Sequence, residues 1–157
     1  MRKAILGAVL LAAINSVSYA QGASTELWNG IRSGMTLAQI QSVRPGSQIS
    51  ENGKTVLAGS AEIINTPFDV FVEMSAGRAT EVSLVGDGYQ ATDIRAALTS
   101  KYGDPVSKYR CSGSALLRIC TEAWAGRSGL KVSLREMTST KGKALTIDYR
   151  TVDVSSL

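Results

Sequence analysis

No histidine occurs anywhere in the 157 residues. Its absence removes the commonest general base and the commonest metal ligand. Ser-His-Asp, Cys-His and H-E-x-x-H sites go with it. The two cysteines, Cys111 and Cys120, lack the C-x-x-C spacing of a redox site. No phosphate loop is complete: Gly53-Lys54-Thr55 has Gln48 where the upstream glycine is required. Ser128 and Lys131 share the S-x-x-K spacing of penicillin-recognising enzymes, but this serine belongs to a predicted hairpin turn and not to a helix start. Carboxylates alone remain for chemistry, as Asp69 with Glu73 or Glu73 with Glu81. On a strand face such residues are ordinarily just solvated. The chain is therefore read as no enzyme, with no catalytic residue, cofactor or metal ligand. A small carboxylate-dependent hydrolase stays open as an alternative.

Long apolar runs are scarce too. The run at residues 4–14 falls short of the roughly 20 apolar residues that a spanning helix needs. Preceded by Met1-Arg2-Lys3 and followed by Ser18-Tyr19-Ala20, it reads as a signal peptide over residues 1–20, cleaved near Ala20. No cysteine lies at that point to carry a lipid. Residues 21–157 are then expected to form a single periplasmic or secreted domain with no transmembrane segment. In such a compartment Cys111 and Cys120 are expected to pair as a disulfide. Residues 21–90 carry four basic and seven acidic residues, and residues 91–157 carry eleven and six. An acidic half joined to a basic half can be steered onto a partner or onto a second copy. Nucleic acid is not an expected partner, since no dense basic patch is present.

Periodicity supplies the elements. In the stretch 88–105, Ile94, Leu98 and Tyr102 recur every four residues and predict a helix closed by Gly103 and Pro105. Leu27, Trp28 and Ile31 suggest a short helix within 23–34. Thr36 and Gln39 form a capping box for a helix from Leu37 to about Val43, stopped at Arg44-Pro45-Gly46. Residues 47–54 read as a loop. Strands are expected near 56–64, 68–74, 81–84, 109–111, 117–125, 130–135 and 145–149, with turns at 65–67, 75–78, 126–129 and a polar loop at 138–143. The predicted fold class is α+β: helices packed on one face of an antiparallel sheet. Residues 27–86 and 87–151 stand as candidate tandem repeats of helix plus meander.

Trp28, Ile31, Gly34-Met35-Thr36 and Gln39-Ile40 resemble the first helices of BamE-like (SmpA/OmlA) envelope domains. The β-lactamase inhibitor proteins share that unit. The resemblance covers about 27–45, and beyond it only the order of elements is similar. It implies two helices on an antiparallel sheet. For the inhibitor proteins it also implies a loop and a concave sheet face that grip an enzyme. BamE-type proteins are usually lipoproteins, which this chain departs from.

Outward strand positions carry the functional expectation. Asp69, Phe71, Glu73 and Glu81 would make one part of the sheet face acidic with an aromatic, and Lys131, Arg135 and Arg150 would make another basic. Aromatic and arginine side chains are the types that anchor interfaces. The function expected is a protein-binding or inhibitor-type module that acts through its sheet face on another envelope protein. The alternative is a structural envelope component associated with outer-membrane assembly.

Overall fold

The computed structural model describes residues 24–152, so the expected signal peptide over residues 1–20 and its expected cleavage near Ala20 lie outside the described residues. A two-stranded hairpin, β1 (Glu26–Trp28) and β2 (Ile31–Arg32), leads into α1 (Leu37–Val43). Four strands follow: β3 (Gln48–Ile49), β4 (Thr55–Ile63), β5 (Thr66–Ser75) and β6 (Arg78–Asp87). Then come α2 (Ala91–Tyr102) and four more strands: β7 (Ser107–Gly113), β8 (Leu117–Ala125), β9 (Leu130–Ser139) and β10 (Gly142–Thr151). Strands β3 to β10 join in one eight-stranded sheet of order β3-β4-β5-β6-β10-β9-β8-β7. Every pairing in it is antiparallel.

This overturns the expected α+β arrangement of tandem helix-plus-meander units on one sheet face. The sheet dominates, and α1 buries only Ile40 while α2 buries Ala91, Ile94 and Leu98. The strands are long because their turns are tight. Ile64-Asn65 and Ala76-Gly77 take the left-handed backbone at both positions, which matches the twist of a two-residue hairpin. The polar stretch 138–143, expected as a loop, is mostly strand, with the chain reversing at Thr140-Lys141. The halves do not follow one another as repeats either. The second meander enters from the far edge, so its last strand, β10, lies against β6.

The helix expected within 23–34 is also absent. Asn29 and Gly30 have φ of 41° and 83° and turn β1 into β2. Asn-Gly is the strongest short hairpin signal, and over so short a stretch it outweighs the apolar spacing. Leu27 and Ile31 are buried nonetheless, and Trp28 packs on the core with the Arg44 guanidinium 5.4 Å from its ring centre. Of the turn expected at 65–67, Asn65 does turn the chain while Thr66 and Pro67 begin β5, and the expected loop 47–54 contains the short β3.

Both capping-box bonds of α1 form: the Thr36 hydroxyl accepts from the Gln39 amide, and the Gln39 side chain accepts from the Thr36 amide. Alternate strand residues build the core: Phe68, Val70, Val72, Val82, Leu84, Val132, Leu134, Leu145 and Ile147 are all buried. Trp124 and the helix residues Ile40, Ile94 and Leu98 belong to the same cluster. Gly86 is paired with Phe68, and a Cβ there would stand 2.8 Å from the Phe68 ring. Cys111 and Cys120 are cross-strand partners joined by a disulfide across the β7–β8 hairpin. No helix among the described residues is long and apolar enough to cross a membrane.

Candidate protein-binding face

Strand alternation sends every second side chain away from the core. On β5 these are Asp69, Phe71 and Glu73, between buried Phe68, Val70, Val72 and Met74. On β6 Glu81 precedes buried Val82. On β9 Lys131 and Arg135 flank the inward set Val132 and Leu134, and on β10 Arg150 follows buried Tyr149. Register then places all seven candidate residues on one face of one sheet. Glu73 is paired with Glu81, Glu81 with Arg150, and Arg150 with Lys131. Asp69 is paired with Val85, Val85 with Thr146, and Thr146 with Arg135.

Two further residues hold this face together. Asp148 projects to the same side as Arg150, yet it is only 6 % exposed. Arg135 Nη2 donates to Asp148 Oδ2 at 2.9 Å, and Ser83 Oγ donates to Asp148 Oδ1 at 2.8 Å. The Ser83 hydroxyl also lies 3.4 Å from Glu81 Oε1. Burial, and then the neighbouring Asp148 carboxylate, raise the Glu81 carboxyl above its ordinary value against the opposing pull of Arg150 and Ser83. The Thr55 hydroxyl donates to Glu73 at 3.2 Å. Glu81, Lys131, Ser133, Arg135, Asp148 and Arg150 line a hollow of about 240 Å³. Leu57, Phe71 and Val85 add partly or fully exposed apolar surface beside the acidic residues.

Sequence reasoning missed Asp148 and Ser83. Both stood at alternating polar positions, but their roles depend on which strand lies beside β10. That neighbour is β6, 65 residues away in the chain, and no local pattern reports it.

The other dense polar cluster belongs to the core side. Arg95 of α2 donates to Glu122 Oε2 at 2.8 Å and to Glu136 Oε1 at 2.6 Å, and its guanidinium lies 4.3 Å from the Tyr109 ring centre. Burial works against the Arg95 charge, but Glu136 and Glu122 outweigh it and hold its pKa above the ordinary value. With both carboxylates engaged, this cluster fastens α2 to β8 and β9. A larger hollow of about 510 Å³ lies between β1, the end of α2 and the turn before β9, where Trp28, Tyr102 and Arg127 meet. It brings together none of the predicted residues, and its Glu26 is engaged by the Gly30 amide at 3.0 Å. No group of three or more acidic or cysteine side chains able to hold a metal ion occurs among the described residues. Comparisons with protein-family models, with curated proteins and with solved structures find no match.

Proposed function

We propose that the chain is an exported, periplasmic or secreted, protein-binding or inhibitor-type module that acts through the outer face of its sheet, without catalysis, on another envelope protein. The observation that carries this reading is the gathering of Asp69, Phe71, Glu73, Glu81, Lys131, Arg135 and Arg150 on one sheet face. A rigid sheet presents them at fixed spacing, so little order is lost when a partner docks. Arg135 is already held by Asp148, while Lys131 and Arg150 make no ion pair among the described residues. Interfacial charges of that kind set partner choice and association rate. Phe71, with Leu57 and Val85 near it, supplies the apolar contact. The disulfide supports an envelope setting, because such bonds persist in oxidising compartments.

The test is a capture comparison with the full chain, expressed for export and oxidised at Cys111–Cys120. Lys131→Glu with Arg150→Glu reverses two cations of the face and leaves the Arg135–Asp148 pair intact. A stoichiometric envelope partner retained by the natural chain and lost by this variant, which a circular dichroism melt shows to be folded, is the expected result. Equal retention by both proteins refutes the reading.

A further inference from the structure

Apart from Asp148, which is nearly buried and paired with Arg135, the charges of the outer face change sign at one seam. Across β5, β6, β10 and β9 the first row reads Glu73, Glu81, Arg150, Lys131. The next charged row reads Asp69, Val85, Thr146, Arg135 over the same four strands. In both rows acids lie on the β5–β6 side and cations on the β10–β9 side. At the seam Glu81 faces Arg150, a favourable pair, but on either side of it like charges lie directly opposite on neighbouring strands and repel. Glu73 faces Glu81, and Arg150 faces Lys131.

We infer that this face is the two-fold interface of a homodimer, in which a second copy of the chain lies over it about an axis running along the β6–β10 seam. A closed dimer of this kind needs a patch that complements itself: where residue i meets residue j, j must also meet i. Turning a copy by 180° about an axis along the strands, midway between β6 and β10, lays the acidic side of one sheet over the basic side of the other. Glu73 then stands over Lys131 of the second copy, Glu81 over Arg150, and Asp69 over Arg135. Each pairing occurs twice. The row between them lays Phe71 over Ser133 and Ser83 over Asp148 of the second copy, where Asp148 is nearly buried and already neutralised by its own Arg135. With strands about 4.8 Å apart, the four-position row spans roughly 14 Å. The inference rests on the reading of the outer face as a binding surface and names one occupant of it; another partner must displace the second copy or match its pattern.

Sedimentation of the full, oxidised chain over a range of concentration and salt tests it. The natural chain is expected to dimerise reversibly, more weakly as salt rises. Glu73→Lys with Glu81→Lys makes the first row wholly basic, and Lys131→Glu with Arg150→Glu makes it wholly acidic. Each variant alone is expected to dimerise about tenfold more weakly or worse, and an equimolar mixture is expected to restore association. Circular dichroism melts establish that both variants are folded. A natural chain that stays monomeric at every concentration overturns the inference. So does a dimer indifferent to both reversals, or a mixture of folded variants that fails to associate. A monomeric chain that still captures an envelope protein through Lys131 and Arg150 removes the second copy and leaves the proposed function standing. A dimer that obeys the charge swap but captures nothing does the reverse.

Discussion

Single residues separate the side of the molecule that holds it together from the outer face proposed to bind a partner. Arg95 belongs to the first kind: it neutralises Glu122, which is 7 % exposed, and Glu136 on the neighbouring strand. Arg95→Met strands a buried carboxylate and is expected to cost roughly 2–3 kcal/mol, below the ~3–5 of a fully buried pair because Arg95 is partly exposed. Adding Glu122→Gln and Glu136→Gln should recover much of that loss, and urea denaturation of the set measures it. Glu81 belongs to the second kind. Its carboxyl is raised above the ordinary 4.5 by burial and by Asp148. Between the unfolded and folded values the folded chain therefore holds more protons than the unfolded one. Stability contributed by this group is present at low pH and falls as pH rises from about 4.5 through the folded value. Glu81→Gln is expected to remove that decline, seen as a flatter dependence of melting temperature on pH. The seven face residues were legible because each alternates with a buried apolar neighbour. Asp148 was not, because a charge on an outer strand position looks solvated until the adjacent strand and its Arg135 are known.

Elements were legible where a local signal was complete. The Thr36–Gln39 box and the Gly103 stop correctly marked α1 and α2, since both signals lie within one turn of the helix. The N-terminal hairpin was hidden because Leu27, Trp28 and Ile31 suit a helix as well, and only Asn29-Gly30 decides against it. Ile64 shows the same effect in another turn. Its φ of 51° is unfavourable for a β-branched side chain, and it is 43 % exposed. Ile64→Asn is expected to stabilise the chain by about 1 kcal/mol, read from the denaturation midpoint. At the far edge, β7 is exposed at every position and is fastened to β8 by the disulfide. Replacing both cysteines with serine is expected to cost about 2–3 kcal/mol and to raise amide exchange first in β7.

At the scale of the whole molecule, the topology was the part that sequence could not supply. Both halves contain a helix followed by strands, which suggests a tandem. The joining of β6 to β10 is a contact between the last strand of each half, and it depends on long-range pairing alone. That single contact creates the outer face: it brings the acidic strands β5 and β6 beside the basic strands β10 and β9. The charge imbalance between residues 21–90 and 91–157 is thereby converted into a two-signed surface with its boundary at the seam. The measurement that tests this most directly is capture by the full, oxidised chain from envelope extract, run beside its Lys131→Glu/Arg150→Glu variant at low and raised salt. Salt-sensitive, stoichiometric retention of a protein by the natural chain, abolished in a variant that still unfolds in one cooperative melt, is the expected result. Retention that ignores both the reversal and the salt would contradict the assignment of binding to this face.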